Sequence, residues 1–108
     1  MFIIIQHPFK FLQTVNKFTM EKLKKLMKPS NIKILFLLES GEKRWSELEK
    51  SLNKKQVSES LKELIDLRLV RAEERTRGLK TYKVYSLTKK GKALVKELKT
   101  ILKILEDE

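Results

Sequence analysis

Asn53-Lys54-Lys55-Gln56-Val57-Ser58-Glu59-Ser60-Leu61-Lys62-Glu63-Leu64-Ile65 is the stretch on which the architecture turns. Val57, Leu61, Leu64 and Ile65 recur at helical steps and form one apolar stripe, leaving Lys54, Lys55, Gln56, Ser58, Glu59 and Lys62 off it. Asn53 is a strong N-capping residue, so the spacing predicts a helix from there to about residue 67. Just upstream, Ser46 and Glu49 have the spacing of a capping box, which predicts a brief helix over 47–52 with Leu48 and Leu52 facing inward. Downstream the periodicity changes. Residues 69–75 read as a strand, Arg77-Gly78 as a turn, and 81–87 as a second strand rich in aromatic and β-branched residues.

Outward from this centre, Phe11, Leu12, Val15, Phe18, Leu23, Leu26 and Met27 recur at three- and four-residue steps and predict an amphipathic helix over 9–28, with a weak spot at Thr19-Met20. Pro29 ends it, and Ser30-Asn31 offers the cap of a helix over 32–39 that is apolar nearly all round and therefore central. Ser40-Gly41 closes that helix, and Lys43-Arg44-Trp45 is long enough for a strand of one bridge. At the other end Thr88 caps a last helix whose Leu94, Leu98, Ile101 and Leu105 alternate four and three apart, a coiled-coil seam widened by Val95 and Leu102.

With 108 residues there is room for one domain, divided here into an N-terminal arm and helix (1–29), a core (30–87) and a C-terminal helix (88–108). The chain has no cysteine and a single histidine, His7, which excludes thiol nucleophiles, thiolate metal sites and His-only metal sites. No cofactor is expected, and so little catalytic equipment argues against an enzyme. The opening Met1-Phe2-Ile3-Ile4-Ile5 lacks a basic flank and is too short for a signal core, and no stretch approaches the roughly eighteen apolar residues of a membrane span. The expected location is the cytoplasm, with no membrane partner.

The net charge of +11 favours a polyanionic partner. It is unevenly placed: residues 1–28 carry six lysines against Glu21, whereas 29–53 are neutral, 54–68 carry +1 and the hairpin region 69–83 carries +3. Short helices followed by a hairpin with a basic tip are the order of a winged helix-turn-helix. The expected fold is thus mostly α with a small β-hairpin wing and extra N- and C-terminal helices. A helix fits the DNA major groove, and a basic hairpin suits the backbone or adjacent minor groove. Lys54 and Lys55 in a first turn oppose the helix dipole unless a phosphate sits there. Gln56 can pair with adenine, Ser58 with bases or phosphate, and Glu59 can accept from a cytosine amine. Arg75, Arg77, Lys80 and Lys83 fall in nine residues without an acid, where a purely structural hairpin would mix signs. Trp45 is expected over the core with its indole N–H satisfied, and Tyr82 and Tyr85 as hairpin packing.

Leu52-Asn53-Lys54-Lys55-Gln56-Val57-Ser58-Glu59-Ser60-Leu61-Lys62-Glu63-Leu64, then Leu69-Val70, resembles the turn and recognition helix of winged-helix transcriptional regulators. Tyr85-Ser86-Leu87-Thr88, then Gly91 and Leu94, is similar to the strand-to-helix junction of the ArsR-like, MarR-like and PadR-like groups. The resemblance spans about residues 31–95 and does not separate those subgroups. It implies a DNA-binding repressor or activator, usually a homodimer. Two departures stand out. Where the family commonly has glycine before the Leu-Val pair this chain has Arg68, so the turn is expected to close differently. Cysteine and histidine ligands of metal-sensing members are absent, so no thiolate metal response carries over.

A leucine seam of this length exceeds what one small domain covers, and the N-terminal helix adds Phe9, Phe11 and Phe18. The terminal helices are therefore expected to pair within the chain and across a two-fold axis, with Phe11, Phe18, Leu94, Leu98, Ile101 and Leu105 in the interface. Two other readings stand beside a sequence-specific regulator of double-stranded DNA. One is a sequence-tolerant DNA coat, suited to lysine contacts; the other is a protein-interaction module on the same scaffold. No polar cluster marks an effector site.

Overall fold

A computed structural model describes residues 16–107. Expectations for the start of the N-terminal helix, including Phe11, and for His7 lie outside the described residues. The elements are α1 (Lys17–Leu26), α2 (Pro29–Glu39), α3 (Trp45–Leu48), α4 (Lys54–Asp66), β1 (Val70–Arg77), β2 (Lys80–Leu87) and α5 (Lys89–Glu106). This is the expected mostly helical chain with one antiparallel hairpin.

Asn16 caps α1, its Oδ1 accepting from the Thr19 N–H at 3.0 Å, and the helix runs unbroken through the anticipated weak spot. Pro29 does two things. It stops α1, because the residue before a proline avoids helical angles, and it opens α2 from the first position, where its missing N–H is no loss. Lys28 is therefore the N-cap of α2, correcting the expectation for Ser30-Asn31. Those two residues tie helices together instead. The fully buried Asn31 amide donates to the Lys25 carbonyl at 2.7 Å, and the Ser60 hydroxyl of α4 donates to Ser30 Oγ at 3.0 Å.

α2 is central, with Ile34, Leu35 and Leu38 buried among Leu48, Val57, Leu61, Leu64, Val70, Tyr85, Leu87, Val95 and Leu98. The brief third helix begins two residues early. Glu47, not Glu49, is the capping carboxylate, accepting from the Arg44 backbone N–H at 3.0 Å, and that bond needs no particular side chain at the cap. Glu49 accepts the Trp45 indole N–H at 2.6 Å, so the tryptophan is satisfied over the core as expected.

In α4 the buried set is Val57, Ser60, Leu61 and Leu64, at i, i+3, i+4 and i+7. Ile65, expected in the stripe, turns off its edge and is exposed. The helix closes with Arg68 at φ +62°, the Leu69 N–H reaching the Leu64 carbonyl and the Arg68 N–H that of Ile65, both at 2.9 Å. This is the left-handed Schellman closure, made by arginine where the resemblance has glycine, so the expectation of a different closure is corrected. A non-glycine residue in that conformation is strained by roughly 1–2 kcal/mol. Arg68→Gly is therefore expected to raise stability by about 1 kcal/mol in urea denaturation, the added freedom of the unfolded glycine offsetting part of the relief.

The hairpin register runs from Val70↔Leu87 to Arg77↔Lys80. The two-residue loop is thus Gly78-Leu79, one residue later than expected, with Gly78 at φ +65° in the position where such loops favour glycine. Thr88 caps α5 as anticipated, accepting from the Gly91 N–H at 3.0 Å while its own hydroxyl donates to the Arg68 carbonyl at 2.7 Å. The expected single bridge joins Lys43 to Tyr85.

Along α5, Val95 and Leu98 are buried in the chain's own core, whereas Ile101, Leu102, Ile104 and Leu105 are exposed. Leu98, expected in a dimer interface, is thus placed inside the monomer. Between α1 and α5 lies an open apolar cleft of about 480 Å³, floored by Leu67 and Leu69 and flanked by Leu23, Leu26 and Leu94. The described parts of the terminal helices therefore flank a cleft, where pairing within the chain as well as across a two-fold axis is expected from the sequence. No helix among the described residues is long and apolar enough to cross a membrane.

Candidate nucleic-acid interface

α4 is held by its buried stripe against α2, which turns the opposite face outward. Lys54, Lys55, Gln56, Ser58, Glu59 and Lys62 are all exposed. By helical spacing Lys55, Glu59, Lys62 and Asp66 form the outermost row, so the charges along it alternate and cancel. Positive charge is concentrated at the N-terminal end, where Lys54 and Lys55 sit in a first turn that contains no acid. Together with the unpaired first-turn N–H groups they make that end attractive to an anion.

Gln56 has a role that went unforeseen. Its Oε1 accepts from the Asn53 N–H at 3.2 Å while Asn53 Oδ1 accepts from the Gln56 N–H at 2.8 Å. The two residues form a reciprocal capping box, so the Gln56 carbonyl is engaged and its NH₂ group is what it can offer to a base edge. The signal was present as Asn-x-x-Gln before an apolar run.

The four basic wing residues do not act as one group. Residues paired across the strands share a face, which puts Arg71, Glu73, Arg75 and Arg77 with Lys80 and Tyr82 on one side, and Lys83 on the other, opposite Glu74. Arg75 is engaged. Its guanidinium donates to both oxygens of Glu42, at 2.9 and 3.3 Å, and to Glu73 at 3.2 Å, and these carboxylates, Glu73 foremost, raise its pKa above the ordinary value. The window of 75–83 is free of acid in sequence, but the fold brings Glu42 to it from 33 residues away. Arg77 and Lys80 lie beyond that cluster next to the turn, with no ion pair among the described residues. Leu79, which composition alone did not single out, is fully exposed in the loop between Gly78 and Lys80.

Three of the six lysines in 1–28 have structural roles. Lys24 and Lys25 occupy the last turn of α1, where cations complement the helix dipole. Lys28 donates to both oxygens of Glu63 in α4, at 2.8 and 3.0 Å, and this ammonium holds the Glu63 carboxyl below the usual range despite the opposing effect of burial.

An exposed helix with a cationic start, and a hairpin whose tip carries free cations, are the two parts by which winged helices meet DNA. The sequence model of HxlR-like helix-turn-helix proteins matches residues 16–107. The chain belongs to the HxlR-like helix-turn-helix family. As an HxlR-like protein it is a winged-helix, DNA-binding transcriptional regulator and not an enzyme. Solved structures agree. The reduced form of the transcriptional regulator YodB from B. subtilis is similar at 26% identity and a TM-score of 0.70, over 81% of this chain and 87% of that one. The transcriptional repressor BigR from Xylella fastidiosa is similar at 25% identity and a TM-score of 0.65, over 92% and 97%. Bacillus subtilis PadR, solved in complex with operator DNA, shares the fold at 24% identity and a TM-score of 0.57, over 67% of this chain and 47% of that one. No curated protein matches the HxlR-like chain closely enough to count as a relative.

Proposed function

We propose that this regulator reads double-stranded DNA sequence-specifically as a homodimer in the cytoplasm. α4 enters the major groove, with Lys54, Lys55, Gln56, Ser58, Glu59 and Lys62 as its reading face. Arg77 and Lys80 hold the wing to the backbone or minor groove, and Lys83 approaches from the other side of the hairpin. The single observation that carries this is the contrast along the surface: Lys54 and Lys55 at the start of α4 and Arg77 and Lys80 at the wing tip are cationic, while the rest of the outer row of α4, Glu59, Lys62 and Asp66, has no net positive charge. Balanced charge on the groove-facing helix favours reading of base edges over indiscriminate attraction, which argues against a sequence-tolerant coat. The fold shared with PadR, which was solved in complex with operator DNA, supports DNA as the partner.

The homodimer is inferred from what the described chain leaves uncovered: Phe18 and Leu23 on α1, Met27 at its C-cap, and Ile101, Leu102, Ile104 and Leu105 on α5. Exposed large apolar side chains in this number call for a partner, and a second copy supplies matching surface through a two-fold axis.

The reading is tested by DNA fragments selected from a random pool, with affinity measured against salt. Wild type is expected to prefer the selected fragment to random duplex by at least about 1,000-fold, with affinity falling steeply as salt rises. A ratio near one would establish the coat instead.

A further inference from the structure

Four consecutive residues that lead from α2 into α3 each take hold of the hairpin, and each by a different means. Glu42 forms a two-pronged ion pair with Arg75, at 2.9 and 3.3 Å. Lys43 exchanges both backbone hydrogen bonds with Tyr85, at 2.8 and 3.0 Å. The Arg44 guanidinium lies 3.8 Å from the centre of the Tyr82 ring. Trp45 meets the Tyr85 ring edge-on with centroids 6.5 Å apart. Tyr82 is the cross-strand partner of Arg75 and shares its face, so Glu42 and Arg44 grip the hairpin at one level. Past that level only 76–81 remain, the segment that carries Arg77 and Lys80. Trp45 is also the first residue of α3, which leads through the turn at Asn53 into α4.

We propose that Glu42-Lys43-Arg44-Trp45 is a strap that sets the angle of the wing relative to the recognition helix, and that Arg75 and Arg44 are positioning residues within it rather than DNA contacts. This rests on the DNA-binding reading above and deepens it. Three of the five N–H donors of the Arg75 guanidinium are engaged by the two carboxylates, and the same carboxylates repel a phosphate brought near them. Release of Arg75 toward DNA would leave Glu42 without its cation, while Glu73 keeps Arg71 at 2.9 Å. An exposed ion pair adds little to global stability, so its loss leaves the fold standing while the wing swings. The strap thus acts on where Arg77 and Lys80 land.

The two roles for Arg75 differ in the sign of one variant. If Arg75 touches phosphate, Glu42→Gln frees it and binding tightens. If Arg75 serves the strap, Glu42→Gln loosens the wing and binding weakens, as Arg75→Gln does. The experiment measures DNA affinity against salt for wild type, E42Q, R75Q, R77Q and the exchanged pair E42R/R75E, with amide hydrogen exchange of each protein without DNA. R77Q is expected to reduce the slope of log affinity against log salt by about 0.9, one phosphate contact. E42Q and R75Q are each expected to weaken binding about three- to tenfold with the wild-type slope retained, and to speed exchange in 76–81 while α4 stays protected. The exchanged pair is expected to recover most of the affinity. Tighter binding by E42Q, a slope reduced by about 0.9 in R75Q, or unchanged exchange in 76–81 would each overturn the strap while leaving the DNA reading intact. A wild-type slope near zero would overturn the DNA reading itself, with the hydrogen exchange still deciding whether the strap holds the hairpin.

Discussion

Gly91→Ala is expected to lower stability by about 3 kcal/mol, enough to remove much of the stability of a domain this size. Gly91 lies in the first turn of α5 and is buried. A Cβ placed there would stand 2.1 Å from the Leu69 carbonyl oxygen, 3.0 Å from the carbonyl carbon and 3.3 Å from a Leu87 methyl. The leucine methyl can turn aside, but the carbonyl cannot. It accepts the Thr88 N–H at 3.0 Å, and Thr88 is fixed in turn by its bonds to Arg68 and Gly91. Alanine therefore has to push α5 off the segment that follows the recognition helix. The helix propensity of alanine works in the opposite direction by about 1 kcal/mol and is outweighed. Urea denaturation followed by far-UV circular dichroism measures the balance. A variant as stable as wild type would mean that α5 is not seated against Leu69 as described.

That contact shows which features a sequence displays and which it hides. Gly91 could be picked out with Thr88 as part of a strand-to-helix junction, but the reason for glycine lies in a carbonyl 22 residues earlier. Caps formed by a side chain and its own helix were legible: Asn53 and Thr88 both cap as their chemistry dictates, and the Lys43 bridge fell where expected. Where the capping group is a bare backbone N–H, as at Arg44, any residue will serve, and the start of α3 was placed two residues late. Pro29 was read for what it ends and not for what it begins. At the interface, exposure of the α4 residues followed from periodicity alone. Ser60 took the place expected for Ile65 because its hydroxyl finds Ser30 on α2, a partner no local pattern reveals. The same blindness applied to charge. A count within 75–83 missed Glu42, and a count within 1–28 gave no hint that Lys28 is spent on Glu63. Segment charge thus overstates how many cations of the wing are free, since Arg75 is bound to Glu42 and Glu73.

Ile101→Glu together with Leu105→Glu is expected to convert the regulator to a monomer and to weaken binding of a palindromic site by about 100-fold or more. Ile101 is 45% exposed and Leu105 73%, and both lie past Val95 and Leu98, the last residues of α5 that the core encloses. Leu105 has little cover in the monomer and Ile101 about half, so circular dichroism should match wild type and the urea midpoint should fall only slightly. What is lost is the surface a second copy would cover. Each large apolar side chain withdrawn from water on association contributes on the order of 1.5–3 kcal/mol when fully buried, and a two-fold interface uses every substitution twice. Four glutamates brought together would add repulsion in a poorly solvated setting. The effect on DNA then follows from valency. A dimer that has placed one recognition helix holds the second near the other half-site at high effective concentration, a gain of 10²–10⁴ that a monomer forgoes. Light scattering should show the mass halved. Wild type should favour a two-half-site fragment over a single half-site by the full factor, and the variant should bind both alike. A variant that remains dimeric would move the interface away from the end of α5. A monomeric variant with undiminished preference for the palindrome would mean that the two half-sites are not read through this dimer.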